Sequence, residues 1–143
     1  MAPLHPATVH FPIVLLPTAL VLDWAARWWK KPDIALASLF LLSAGVAFLW
    51  IAVLTGQLEY TAAEATLSNG KGLPVLVLHS RLGYLLSVVW SGLLLGRLAL
   101  LKRSNSRLFL LYFVLSAMAC WILFLNAYLG GVLVYQHGAG IRR

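Results

Sequence analysis

Charged residues are scarce in this sequence. Only 10% of its 143 residues are Asp, Glu, Lys or Arg, and 62% are hydrophobic, whereas a soluble domain is about 25% charged. A globule of this size cannot bury so much apolar surface in its own interior. Lipid is the solvent that accepts the excess, so we expect an integral membrane protein.

Cysteine is almost absent. The single Cys120 lies within a long apolar run, which excludes an intramolecular disulfide. No Cys-x-x-Cys-His motif occurs, so the covalent attachment of a c-type haem is also excluded. No Lys or Arg precedes the first apolar run, and Asp23 interrupts the end of that run, so we do not expect a cleaved signal peptide.

Four apolar runs are long enough to cross a bilayer, which takes about 20 helical residues. They cover about 9–29, 34–54, 73–101 and 108–135. Backbone groups in lipid must be satisfied within each segment, and the alternation typical of barrel strands is missing. The sequence therefore predicts an all-α transmembrane four-helix bundle, with 1–143 as one membrane domain. The segment TAAEATL, between the second and third runs, is expected to form a short interfacial helix.

The charges of the three links predict the orientation. The first link contains Arg27, Lys30 and Lys31 beside Asp33, and the third contains Lys102, Arg103 and Arg107, so both are basic. The second link contains Glu59 and Glu64 with only Lys71, so it is mostly acidic. Short basic links stay in the cytoplasm. Both termini are therefore expected on the outer side of the membrane. The net charge of +7 is explained by this orientation, and we expect no nucleic-acid partner.

This topology brings all four histidines to one membrane face. They are His5, His10, His79 and His137. Neutral imidazole is the usual nitrogen ligand for iron, copper and zinc, and histidines on different helices can converge on one cofactor. We therefore expect a cofactor or metal site beneath the outer surface, although a histidine at a membrane interface can also serve as a simple amphipathic anchor.

Haem b, as one group or two, is the cofactor we expect first. Haem needs only one or two axial histidines and an apolar slot between helices. His10 and His79 are the predicted axial pair, with His5 and His137 supporting them or binding a second centre. Gly83, Gly130 and Gly131 are expected to leave room for the porphyrin. Arg81 is expected to pair with a propionate, and Tyr135, Trp50 and Tyr60 are expected to line the slot. Copper or zinc at the same histidines is the alternative.

The expected function is that of an electron-transfer protein or a cytochrome-like subunit of a redox complex. Its partners would be quinol or a larger membrane complex, and a carrier or subunit is favoured over a stand-alone enzyme. Two alternatives stay open. One is a non-redox accessory subunit whose histidines bind pigment, lipid or nothing, and the other is a copper- or zinc-binding membrane protein.

Other polar and small residues within the runs suggest helix contacts. Gly92 and Gly96 have the spacing that lets helices approach closely, either within the chain or in a homodimer. Asp23 is four residues before Arg27, a spacing that favours an ion pair on one helix. Asn126 and Ser116 should find partners across a helix interface.

Several motifs resemble one family. They are HPATVHFPI at 5–13, LTG at 54–56, LHSRLG at 78–83 and LGGVLVYQHGAGI at 129–141. Together they are similar to domain-of-unknown-function family 2231, which consists of small, mostly bacterial, four-span membrane proteins. The resemblance implies that the following are family motif positions: His5, His10, Pro12, His79, Gly130, Gly131, Tyr135, His137 and Gly138. Some relatives are joined to, or encoded near, Rieske-type or cytochrome-type proteins, which implies electron transfer. Ile141 stands where similar chains have Val.

Overall fold

The computed structural model describes residues 4–67, 70–101 and 105–140. These residues contain five helices and no strand, which confirms the all-α prediction. The helices are α1 (Leu4–Thr8), α2 (His10–Trp29), α3 (Pro32–Leu67), α4 (Gly72–Leu100) and α5 (Ser106–Tyr135). Four segments are long and apolar enough to cross a membrane, the first of them combining α1 and α2. The predicted four-helix membrane bundle is therefore confirmed.

The helix ends follow from local residues. Lys30 ends α2 in the left-handed conformation, with φ 54°, and its N–H donates to the carbonyl of Ala26. Asn105 caps α5, because its side chain accepts from the N–H groups of Arg107 and Leu108. Lys102 and Arg103 lie outside the described residues. We call the end of the bundle that carries Arg27, Lys30 and Arg107 the basic end.

The third helix is longer than its predicted span. With 36 residues, α3 is roughly 54 Å long and exceeds the hydrocarbon core of a bilayer. Residues 61–67 form its last two turns and not a separate interfacial helix. The reason is local: no proline interrupts 54–67, and a single glycine there does not end a helix.

The helices form a bundle in which α2 and α4 occupy diagonal corners. Each of them packs against α3 and α5, and α1 folds back along α3. The core contains Leu16, Leu42, Leu86 and Trp90, each at most 1% exposed. Many large apolar side chains lie on the outside, as a lipid-facing surface requires.

A smaller apolar cluster closes the opposite end, which we call the histidine end. Leu67, Leu76 and Leu133 join the end of α3, the start of α4 and the end of α5. The chain then turns at Gly138, whose φ of 71° is left-handed, and the N–H of Ala139 donates to the carbonyl of Leu133 at 2.9 Å. The N–H of Gly138 donates to the carbonyl of Val134 at 3.1 Å, which is the αL pattern at a helix C-terminus, so Gly138 in the family motif has a structural role.

Candidate functional site

His5 and His79 face each other at the histidine end. Their ring centroids are 5.9 Å apart, and the ring planes meet at 81°. His5 lies in α1 and His79 lies two turns into α4, so the contact depends on α1 folding back over the bundle. Both residues are partly exposed.

Both rings are oriented by main-chain carbonyls. His5 Nδ1 lies 2.8 Å from the carbonyl oxygen of Ala52, and His79 Nδ1 lies 3.0 Å from that of Asn126. A carbonyl oxygen can only accept, so each neutral ring donates its Nδ1–H. Each Nε2 then keeps its lone pair, which is the arrangement found in histidines that bind metals.

Side chains of α3 hold α1 in place. Glu59 Oε1 accepts from the backbone N–H of Leu4 at 2.7 Å and of His5 at 3.1 Å. The hydroxyls of Thr8 and Thr55 are 3.1 Å apart and share a hydrogen bond. Sequence reasoning used Glu59 only as an orientation signal and missed this contact, because nothing local indicates that five residues before Val9 would return along α3.

Two glycines make room for the imidazole rings. A Cβ added at Gly56 would lie 2.9 Å from His5 Nδ1, and one added at Gly130 would lie 3.3 Å from His79 Cε1. The space at Gly130, predicted to accommodate a porphyrin, is therefore occupied by the ring of His79. Gly56 belongs to the LTG motif, and sequence reasoning did not assign it to the site.

The other two predicted ligands have different neighbours. His10 is exposed, and its Nδ1 is 2.7 Å from the carbonyl oxygen of Pro6. In the described part of the chain, His79 has His5 as its ring neighbour, and no contact joins it to His10. His137 packs on the start of α4, since a Cβ added at Gly72 would lie 3.1 Å from its Cβ and Cγ.

The remaining predicted site residues differ in their exposure and contacts. Tyr135 is 89% exposed, and Arg81 is also exposed. Gly83 lies near the Asn126 carboxamide, whereas a Cβ at Gly131 would meet nothing within 4 Å. Trp50 Nε1 donates to Ser91 Oγ at 3.1 Å, and Tyr60 packs in the apolar cluster at the histidine end. Within residues 4–67, 70–101 and 105–140, no group of three or more His, Cys, Asp and Glu could hold a metal ion.

A buried ion pair lies near the basic end. Arg97 donates through Nε and Nη2 to Asp23, with the shortest distance 2.8 Å, and Tyr112 donates to Asp23 Oδ2 at 2.9 Å. The predicted pair of Asp23 with Arg27 is wrong. Arg27 Nη2 donates instead to Ser106 Oγ, because Asp23 faces the core and Arg27 faces outward.

Helical spacing could have revealed the burial of Asp23. The buried residues of α2 include Leu16, Ala19, Leu20 and Ala26. Asp23 lies three or four residues from three of them, so it shares their face. An acidic residue on the core face of a membrane helix calls for a cationic partner from another helix.

Several buried polar atoms have no protein partner among the described residues. They are Trp90 Nε1, Ser116 Oγ and Asn126 Oδ1. Ser116 is fully buried, and Asn126 is 8% exposed. That these two side chains find partners across a helix interface therefore stays a prediction for their oxygen atoms, and the backbone carbonyl of Asn126 accepts from His79.

A groove of about 1130 Å³ lies between α4 and α5 toward the basic end. Gly92 and Gly96 line it together with Leu111, Tyr112 and Met118. A Cβ added at either glycine would meet nothing within 4 Å. This glycine pair therefore does not serve close packing within the chain. A homodimer formed through the pair stays a prediction.

The comparisons with known proteins give one match. A family model described as predicted membrane protein (DUF2231) matches residues 1–143. No curated protein and no solved structure matches the chain.

Proposed function

The chain belongs to the DUF2231 family of predicted membrane proteins, and from that premise we propose that it is an electron-transfer protein of the bacterial inner membrane that binds haem b. His5 and His79 are the proposed axial ligands. The proposal revises the axial pair expected from the sequence, because His79 has His5 as its neighbour.

The apposition of the two imidazoles is the observation that carries this proposal. When two imidazoles bind one metal through Nε2 at about 2.0–2.1 Å, their ring centroids lie roughly 5–6.5 Å apart, depending on the angle between the two bonds. The observed separation of 5.9 Å falls within this range. Two imidazoles with free Nε2 lone pairs are also the kind of ligand that would hold a haem iron. The donor set therefore fits the group.

Haem would supply one-electron chemistry, and the protein would supply its orientation. The carbonyls of Ala52 and Asn126 accept from the two Nδ1–H groups, which fixes the rings and makes each Nε2 a better donor. Glu59 holds the backbone that carries His5. Its carboxylate also adds negative charge near the site, which favours the more positive, oxidised state of a bound iron.

The depth of the site favours a partner on the outer side. The charges of the links orient the basic end toward the cytoplasm, so His5 and His79 would lie beneath the outer surface. Arg97 is 18 residues after His79 on α4, or roughly 27 Å away along the helix. A protein partner such as a cytochrome or Rieske-type protein, or a quinol in the outer leaflet, could reach the site directly.

An absorption spectrum of the purified protein tests the proposal. Bis-histidine haem gives a sharp Soret band that shifts on reduction with dithionite, and extraction should yield one iron per chain. His5→Ala and His79→Ala should remove this spectrum, whereas the matched control His10→Ala should keep it. If both variants keep the spectrum, the axial pair is wrong; colourless, metal-free and folded protein would contradict a redox function.

Copper is the second candidate. The edge-to-face contact of the two rings is compact enough for one ion held directly between them, and imidazole suits copper and zinc as well as iron. Elemental analysis of the same purified protein separates the two candidates. One copper per chain, with no Soret band and with loss of the metal in His5→Ala, would favour the copper protein.

A further inference from the structure

The groove between α4 and α5 has apolar walls. Its lining residues are Gly, Ala, Val, Leu, Ile and Met, together with Tyr112. The hydroxyl of Tyr112 already donates to Asp23, so the side chains that line the groove offer a ligand no free hydrogen-bonding group. Burying a quinone ring or another polar head against these walls is unfavourable, because its oxygen atoms lose water without gaining a partner. The walls suit a hydrocarbon chain.

The groove has the length of one membrane leaflet. Its lining residues run from Val89 to Leu100 on α4 and from Leu108 to Ile122 on α5. These segments are roughly 16 and 21 Å long, and half of the hydrocarbon core of a bilayer is about 15 Å thick. Because α4 ends at Leu100 and α5 begins at Ser106, the groove starts at the basic end and stops near the middle of the bundle. A fatty acyl chain of the leaflet at the basic end matches this position and length.

Arg107 lies on the same face of α5 as the groove. Leu111 follows it by four residues, Leu115 by eight and Ile122 by fifteen, and all three line the groove. Residues at these spacings lie one above the other on a helix. Arg107 is exposed, and its long side chain can lie along apolar surface while the guanidinium reaches the headgroup level.

The guanidinium of Arg107 is available for an anion. Within the described part of the chain it has no hydrogen-bond or ion-pair partner. The other two arginines that the structure describes near this end are already bonded, Arg27 to Ser106 and Arg97 to Asp23. A guanidinium binds a phosphate through two parallel hydrogen bonds. The charge beside the groove therefore complements a phosphate above an acyl chain.

A second copy of the chain fits this face less well. A two-fold interface brings the same surface of both copies together, so two concave grooves would meet and leave a void between them. In a parallel pair the two Arg107 side chains would also approach each other, and like charges repel. A lipid fills the groove and neutralises the charge at the same time.

We propose that the groove is a binding site for an anionic glycerophospholipid from the leaflet at the basic end. One acyl chain lies along Gly92 and Gly96, where the missing side chains leave space, and the phosphate is bound by Arg107. The orientation predicted from the links places this end at the cytoplasmic leaflet, whose anionic lipids are attracted by basic residues next to membrane helices.

Lipid titration followed by native mass spectrometry tests this proposal. The full-length protein is delipidated in detergent and titrated with palmitoyl-oleoyl phosphatidylglycerol or with phosphatidylcholine of the same acyl chains. The wild type should bind the first phosphatidylglycerol about fivefold more tightly, which is the contribution of one basic residue near the surface. Arg107→Gln should remove this preference without changing the affinity for phosphatidylcholine, and Arg107→Lys should keep it. Lys31→Gln is the matched control, because Lys31 is exposed at the same end but lies between α2 and α3.

A second variant tests the acyl chain. Gly96→Leu should lower the affinity for both lipids by about tenfold or more, because the new side chain displaces methylene groups of the lipid from the groove. Gly131→Leu, at an open position outside the groove, should leave both affinities unchanged. Neither variant should lower the unfolding midpoint measured without lipid, since leucine favours a helix more than glycine does.

Three results would overturn the proposal. The first is equal affinity of the wild type for the two lipids. The second is the same preference in Arg107→Gln and Lys31→Gln, which would mean that the basic end attracts anionic lipid without this site. The third is a lipid-free dimer that Gly96→Leu dissociates, which would assign the groove to a second copy of the chain.

Discussion

Asp23 and Arg97 are 74 residues apart in the sequence and form a bidentate ion pair inside the bundle, with Arg97 Nη2 2.8 Å from Asp23 Oδ1. The two residues lie on α2 and α4, which occupy diagonal corners and do not pack against each other in the described part of the chain. Tyr112 of α5 donates to the same carboxylate. One side chain thus connects three helices across the core.

Breaking this pair should destabilise the protein strongly. Asp23→Ala leaves the Arg97 guanidinium buried without a counter-charge, and we expect a loss of about 3–5 kcal/mol in the free energy of unfolding. Asp33→Ala is the control, because Asp33 is exposed in the first turn of α3 and should cost about 1 kcal/mol or less. Reversible unfolding in mixed micelles measures both values.

The double variant Asp23→Leu with Arg97→Met sharpens this test. Replacing both charges by apolar residues is often neutral or stabilising, so the double variant should recover most of the stability that Asp23→Ala loses. If the single and double variants lose equal amounts of unfolding free energy, the pair must stabilise the bundle in some way beyond neutralising its own charges.

The membrane made the fold predictable, whereas the site depends on long-range contacts. The four spans follow from the length of apolar runs, because lipid allows few other structures. The His5–His79 contact depends on Glu59 receiving the N–H groups of α1, and no local pattern encodes that return of the chain. The burial of Asp23 could be predicted from its position on the helix. Its partner Arg97 could not, because several basic residues lie near the same end of the bundle.

Glu59 should control the binding site through α1. In Glu59→Ala the N–H groups of Leu4 and His5 lose their shared acceptor, and hydrogen bonds to a charged group contribute about 1.5–3 kcal/mol. We expect α1 to detach, with faster amide exchange in residues 4–8 and a weakened haem or metal signal. Glu59→Gln keeps an acceptor oxygen and should restore part of the signal.

A matched acidic residue checks the specificity of this effect. Glu64 lies further along the same helix and is also partly exposed. Glu64→Ala should leave both the exchange rates of residues 4–8 and the spectrum unchanged. If it weakens the site as much as Glu59→Ala does, general surface charge and not the contact with α1 would be responsible.

Adjacent glycines on α5 offer a comparison of two neighbouring positions. A Cβ at Gly130 would lie 3.3 Å from His79 Cε1, whereas one at Gly131 would meet nothing within 4 Å. Gly130→Ala should therefore shift the His79 ring and weaken cofactor binding. Gly131→Ala should leave binding unchanged and stabilise the helix by roughly 0.5–1 kcal/mol. Titration of the apoprotein with haemin or Cu²⁺ measures binding, and equal affinities for the two variants would show that the His79 position is not critical.

Filling the groove between α4 and α5 should reveal whether two chains associate there. A Cβ added at Gly92 or Gly96 would touch no atom of its own chain. Gly92→Leu and Gly96→Leu should therefore leave the fold of the monomer intact. If small residues let two copies approach closely, each variant should lower the dimer fraction in lipid by cross-linking or single-molecule photobleaching. Gly131→Leu, at an open position away from the groove, should not. A wild type that is monomeric at every protein-to-lipid ratio would exclude a homodimer at this face.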